Sequence, residues 1–163
     1  MSQRHPLALV AGAATLLAAF PLSTVYASFT WLFYSVLAVA LVIGTAMLVR
    51  TARGPVWAQV LAMMSSLLLY ITFVFPSGEE FFRLIPTPGT FRHFNELLVV
   101  AGQQIRDEAV PVPDLDGLLL LTTAGVGLVA ILVDLAAVGI RRPALAGLPM
   151  LAIYSVPVAV LPE

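Results

Sequence analysis

The sequence predicts an all-α integral membrane protein, a bundle of about five transmembrane helices with one amphipathic helix in a long outer loop. Three observations predict it. Only 10% of the residues are charged and 60% are hydrophobic, where a soluble domain carries roughly a quarter charged. The apolar residues gather into several runs of the ~20 residues that a helix needs to cross a bilayer. None of these runs shows the ~10-residue alternation of a membrane β-barrel. The chain reads as a single membrane domain over residues 1–163.

The first span, 7–26, follows a short lead that contains Arg4. Val25, Tyr26 and Ala27 have the form of a signal-peptidase site, so cleavage after Ala27 is one outcome. Retention is the expectation, because the run passes almost directly into the second span, 29–49. Arg50 and Arg53 separate that span from the third, 56–75. The outer loop, 76–117, is long for an unstructured connection and is expected to be functional or partly ordered. The fourth span, 118–140, carries Asp134, and the fifth, 144–161, follows Arg141, Arg142 and Pro143. Pro149 and Pro157 fall inside the fifth span, and each removes an N–H donor and crowds the preceding turn. A kinked helix is expected there, with a broken helix lining a cavity as the sharper alternative.

Small residues recur at four-residue spacing: Ala8 and Gly12, then Ala11, Thr15 and Ala19, then Ala40 and Gly44. Ala58, Ala62 and Ser66 continue the pattern in the third span. Lipid supplies no hydrophobic drive for helix association, so close backbone approach along such stripes is expected to supply the packing.

Orientation follows from the arginines, because short cytoplasmic loops collect basic residues. Arg4, Arg50, Arg53, Arg141 and Arg142 all fall on one side if the spans alternate. Every acid except Asp134 falls on the other. The amino terminus is therefore expected in the cytoplasm and the carboxyl end outside. There is no cysteine and no lysine, which excludes disulfides, thiolate metal sites and a cysteine nucleophile.

Within the outer loop, Phe91, Phe94, Leu98, Ala101 and Ile105 are spaced as one face of a helix. Thr87 or Thr90 is a candidate cap, with Pro88 at the first helical position in the former case. Pro111 limits the end of the helix. Such a helix is expected to lie on the outer membrane surface or to cover the bundle. Its mixed charge points to packing on the bundle or on a partner domain, with Phe94, Leu98 and Ile105 inward and Arg92 and Gln103 toward water.

No constellation for catalysis emerges. His93 and Glu96 stand one turn apart, but a di-iron bundle needs two such pairs and further carboxylates, and His5 is the only other histidine. Glu79 and Glu80 are adjacent and point different ways. Gly125 and Gly127 lack the rest of a dinucleotide fingerprint and read as packing residues. Ser65, Ser66 and Ser155 have no histidine to activate them. No basic stripe interleaved with aromatics is present, so nucleic acid is not an expected partner. No cofactor and no metal is expected, and the chain does not read as an enzyme.

Asp134 is the one acid inside an apolar span. A charge at a helix centre costs ~2.5–3.5 kcal/mol on the insertion scale, and the span's Leu, Ile and Val residues contribute roughly −4 to −8 kcal/mol. Insertion therefore survives the acid. Arg141 lies within ~20° of the same face but ~10.5 Å further along the axis, and it snorkels outward by preference. Asp134 is expected to face the bundle, to accept hydrogen bonds from a neighbouring helix or a loop arginine, and to fix packing. A proton relay normally shows a chain of ionisable groups, and here there is one.

The run "DLAAVGIRRPALAGLPMLAIYSVPVAVLP", residues 134–162, resembles the amino-terminal membrane domain of bacterial, especially actinobacterial, transglutaminase-like membrane proteins. Asp134, the Arg141-Arg142-Pro143 step, and the "YSVPVA" segment with Pro157 carry the resemblance, and "AVPVPDLDGLLLL" at 109–121 fits it. The resemblance implies the bacterial plasma membrane and an attached extracytoplasmic domain bearing a Cys-His-Asp constellation. That constellation maps onto no residue here, since the sequence holds no cysteine. The chain is then a piece of such a protein or a stand-alone relative. The leading expectation is a non-enzymatic membrane domain that anchors, orients or regulates the extracytoplasmic domain, with membrane lipid as its other partner. The alternative is a transport or proton-coupled module using Asp134, and an intramembrane lipid-processing enzyme ranks last.

Overall fold

The structure, a computed structural model, describes residues 4–24, 29–78, 85–107 and 116–139, together with Pro149 and Leu151. Every element among the described residues is helical. Helix α1 (Arg4–Ala19) runs on into a 3-10 turn (Phe20–Thr24), and α2 (Thr30–Thr51) and α3 (Val56–Val74) follow. Helix α4 is Pro88–Asp107, and α5 (Asp116–Asp134) continues as a π-helix over Leu135–Gly139. Among the described residues, three helices are long and apolar enough to cross a membrane: α2, α3 and Asp116–Ala137. The apolar stretch Ala8–Ser23 is shorter. Apart from Pro149 and Leu151, the fifth predicted span lies outside the described residues, as do Arg141, Arg142, Pro143 and Pro157.

Helix α5 is the centre of the bundle and packs against α1, α2, α3 and α4. Close packing around it rests on missing side chains. A Cβ on Gly127 would stand 2.5 Å from Leu67 Cδ1 of α3. Between α1 and α2, a Cβ on Gly12 would stand 2.0 Å from Ile43 Cδ1. The α1 stripe Ala8, Ala11, Thr15 and Ala19 is buried, and Thr15 donates to the Ala11 carbonyl at 2.9 Å, so its hydroxyl is satisfied within its own helix. The third helix works the other way. It buries large side chains, Met63, Leu67, Tyr70 and Ile71, while Ala58, Ala62 and Ser66 are only half-buried. Leu67 fills the space that Gly127 vacates, so the small partner at this seam stands on α5. On α2, Ala40 and Gly44 turn outward, and nothing lies within 4 Å of a Cβ built on Gly44.

The outer surface is apolar. Leu17, Phe33, Leu61 and Leu132 are more than half exposed. Against water this would cost ~25 cal/mol per Å². Against acyl chains it costs nothing comparable, so the surface matches a membrane environment.

The turn between α2 and α3 is a Schellman motif. Gly54 N–H donates to the Val49 carbonyl at 2.9 Å and Arg53 N–H to the Arg50 carbonyl at 3.0 Å. The residue at the left-handed position is Arg53, with φ 57°, where glycine is the usual occupant. Pro55 then precedes α3 in extended conformation, suited to starting a helix without a spare N–H.

Helix α4 begins with reciprocal capping. Thr87 N–H donates to Thr90 Oγ1 at 3.1 Å, and Thr90 N–H to Thr87 Oγ1 at 3.4 Å. Thr87 is thus the cap and Pro88 the first helical residue. The face that meets the bundle is Thr90, Phe94, Leu97 and Ala101, of which Thr90 and Ala101 are fully buried. This corrects the predicted face. Phe94 and Ala101 turn inward as expected, whereas Phe91 and Leu98 are exposed at 51% and 41%. Leu97 takes the inward place assigned to Leu98. The side chain of Ile105 lies outside the description. The apolar stripe of α4 is wider than one protein contact, so periodicity alone does not choose which half of it packs.

The contact between α4 and α5 turns on Gly117, where a Cβ would lie 2.4 Å from the Leu97 carbonyl oxygen and 3.0 Å from Ala101 Cβ. A backbone atom cannot swing away as a side chain can. Gly117→Ala is expected to destabilise the protein by about 1–3 kcal/mol in reversible unfolding from mixed micelles. Gly44→Ala, with open space around it, should be neutral or gain up to about 1 kcal/mol from helix propensity. Equal losses from the two substitutions would refute this account of the α4–α5 contact. Arg53→Gly relieves a left-handed residue and is expected to raise the unfolding midpoint, with a gain of about 1 kcal/mol.

Candidate functional site

The three polar groups that meet inside the bundle come from three different helices. Arg50 is in the last turn of α2, Gln59 in the first turn of α3, and Asp134 is the last α-helical residue of α5. The tight α2–α3 turn returns the chain so that Arg50 and Gln59 face each other. Helix α5 runs beside them and delivers Asp134 at the same end of the bundle.

Arg50 Nη2 forms an ion pair with Asp134 Oδ2. Gln59 Nε2 donates to the same oxygen at 2.9 Å, and Gln59 Oε1 accepts from Arg50 Nε at 3.2 Å. The three side chains close a ring in which the amide serves as both donor and acceptor. All are withdrawn from the surface: Asp134 is 1% exposed, Gln59 4%, and the Arg50 side chain 9%. One carboxylate oxygen carries both bonds. Asp134 Oδ1 and Arg50 Nη1 have no hydrogen-bond partner among the described residues. An unmet buried polar atom costs about 1–3 kcal/mol, so the ring gives up part of what a bidentate pair would have gained.

Of the expected partners for Asp134, a neighbouring helix or a loop arginine, the structure supplies the first twice, as Gln59 of α3 and Arg50 in the last turn of α2. Sequence reasoning passed over Gln59. The signal was there: a lone amide in an otherwise apolar span has the same need for a partner as a lone acid. Arg50 was read only as a topology marker, because nothing in its spacing from Asp134, 84 residues along the chain, links the two. Immediately after Asp134 the helix widens into the π-helical turn Leu135–Gly139, a feature frequent at functional sites.

The other end of the α2–α3 seam is tied by Tyr70, whose hydroxyl donates to the Tyr34 carbonyl at 3.0 Å, with the Tyr34 and Phe75 rings 6.1 Å apart. Of the remaining sequence candidates, His93 is half-buried and Glu96 exposed on α4, and Ser65 is exposed. Among the described residues no group of three or more His, Asp or Glu stands close enough to hold a metal ion. Gly125 faces open space, while Gly127 packs against Leu67. Glu79, Glu80 and Ser155 lie outside the described residues. Chemically, the ring neutralises an internal charge and locks three helix ends together.

Because removing one member strands its partner's charge, Asp134→Leu is expected to cost about 3–5 kcal/mol of stability. The double variant Arg50→Met with Asp134→Leu should recover most of that loss, since an apolar pair of similar volume is neutral or better in such a place. Unfolding of the two single variants and the double variant measures the coupling. Additive losses would mean that the two residues do not act on each other.

A family model described as the TgpA N-terminal domain matches residues 13–163. No curated protein and no solved structure matches the chain.

Proposed function

Because the chain belongs to the TgpA N-terminal domain family, we propose that it is a non-enzymatic membrane domain that anchors and orients a transglutaminase-like domain lying outside this sequence. The observation that carries this reading is the family match over residues 13–163, the amino-terminal part of transglutaminase-like proteins. Two features support it. Among the described residues, the buried charged cluster pairs an acid with a guanidinium and an amide, so the engaged oxygen of its carboxylate is taken up in holding helices together. The apolar outer surface suits a domain held in lipid.

In this reading the chain crosses the bacterial plasma membrane about five times, with the amino terminus in the cytoplasm and the carboxyl end outside. Arg50 and Arg53 lie at the cytoplasmic end, and α4 lies at the extracytoplasmic end, beside the attached domain. Its partners are membrane lipid and that domain, and it takes no cofactor, metal or nucleic acid. The proton-coupled alternative loses ground to the ion pair, since a carboxylate whose charge is met by an arginine already has its counter-ion.

The topology is tested in this cysteine-free sequence with single cysteines at Ser77 and Arg53. A membrane-impermeant thiol reagent applied to intact cells should label Ser77→Cys and leave Arg53→Cys unlabelled until the cells are opened. The opposite pattern would invert the orientation. For the function, Asp134→Asn in the intact parent protein should leave transglutaminase activity per molecule in the membrane close to wild type. A well-folded Asp134→Asn protein without activity would move the case to the proton-coupled module.

A further inference from the structure

We propose that α4 is an interfacial helix, lying in the membrane plane with the row Phe91–Leu98 seated in the lipid at the boundary between headgroups and acyl chains. The occupant of that exposed apolar row is then the bilayer itself.

Depth comes first. Helix α3 ends at Val74 and gives way to Ser77 and Gly78, so the membrane boundary lies near this level. Ser77 Oγ and Thr90 Oγ1 share a hydrogen bond at 3.4 Å, which fixes the first turn of α4 there. Helix α5 enters the apolar region at Asp116–Gly117, where exposed Asp116 precedes buried Leu118, Leu119 and Leu120. Gly117 sits against Leu97 and Ala101, which fixes the middle of α4 at a second boundary level. Residues 90 and 99 of one helix are about 13 Å apart along its axis. With both points held at the level where a membrane helix turns from polar to apolar, the axis between them lies along the membrane plane.

Sidedness comes next. At ~100° per residue, Phe91 and Leu98 fall within ~20° of one another, in a row beside the Phe94–Ala101 face that grips the bundle. Arg92 and Gln103, both exposed, likewise share a row, and Gln103 is ~140° round from Leu98. The helix therefore carries a protein face, an adjoining apolar flank, and a polar ridge of Arg92, Glu96 and Gln103 that the exposed Val99 and Val100 border. Phe91 packs edge-on against Phe94, with ring centroids 6.4 Å apart, so the outer row is braced by the inner one.

A separate observation marks the same level. Phe20, Phe29, Phe33 and Phe73 are each exposed by more than half, and all stand near helix ends at the α4 end of the bundle. Phe91 continues this collar from the spanning helices onto α4. At the opposite end of α2 and α3 the exposed aromatic side chain is Trp57.

The test is site-directed spin labelling of the protein in vesicles of phosphatidylethanolamine and phosphatidylglycerol, using single cysteines in place of Phe91, Leu98, Arg92 and Gln103. Collision with molecular oxygen reports lipid, and collision with a water-soluble nickel chelate reports water. The expected result is an oxygen-to-nickel ratio several-fold higher at 91 and 98 than at 92 and 103. Labels at 91 and 98 that meet the nickel chelate as readily as the label at 103 would overturn the proposal in favour of a water-facing row. Protection of 91 and 98 from both reagents would overturn it in favour of a covering protein surface. Leu98→Cys carries the test alone if Phe91→Cys, which loses the ring contact, does not fold. A label at Leu41, exposed midway along α2, tests the membrane setting independently. Lipid at 41 with water at 91 and 98 ends the interfacial seat and leaves the proposed anchoring function standing.

Discussion

A bilayer interior holds no water to solvate a charge, so every ionised group that enters it must find its partners within the protein. Asp134 imposes that constraint on this bundle. It sits 1% exposed at the end of the central helix, and satisfying it requires Arg50 from α2 and Gln59 from α3 at one place. A displacement of α2 or α5 by a turn, ~5.4 Å, would strand a charge, and the same displacement of α3 would strand the Gln59 amide. The apolar contacts between these helices are far more forgiving, because one leucine against another is much the same a turn higher or lower. The ring thus selects one register from many that dispersion alone would permit. It does so without making the protein more stable than an apolar seam would, since the cost of desolvating the ions offsets their attraction.

From that fixed end the rest of the packing follows upward. Helix α5 approaches α3 where Gly127 receives Leu67, and α1 approaches α2 where Gly12 receives Ile43. At the far end Gly117 lets the backbone of α4 lie against the first turn of α5, and the Ser77–Thr90 contact ties the start of α4 to the end of α3. Helix α5 is therefore gripped by ion-pair chemistry at one end and by backbone contact at the other. Between the two ends, surface complementarity does the work, as it must where lipid is as apolar as the side chains.

This division of labour suits a membrane anchor. A helix whose two ends are held by different kinds of contact keeps its position against thermal tilting, and α4, joined to it, shares that position. Whatever attaches beyond α4 would then stand in a defined relation to the membrane. The polar interior of the bundle is used up in holding it together. The Ser35 and Thr123 hydroxyls and the Asp134 Oδ1 and Arg50 Nη1 atoms, buried and without a partner among the described residues, are exceptions. Asp134 directly precedes the π-helical turn at Leu135–Gly139, where the strict i→i−4 pattern of α5 also gives way.

The sequence by itself determined the helical class and the presence of helices long and apolar enough to cross a membrane. Those properties depend on chain-local quantities: how long an apolar run is, where arginines interrupt it, and where Thr87 and Pro88 start a helix. It also determined that Asp134 needs an internal partner, because the cost of an unpaired charge in lipid does not depend on the fold. Only the tertiary structure decided who that partner is. Arg50 stands 84 residues from Asp134, and no periodicity connects them. The tertiary structure also decided which small residues are contacts, burying Gly127 and leaving Gly44 open. It turned Leu97 inward on α4 and left Leu98 exposed. In each case the reason is the same. An apolar pattern states that a side chain avoids water, and in a membrane both lipid and protein satisfy that demand, so only the placement of neighbouring helices distinguishes the two.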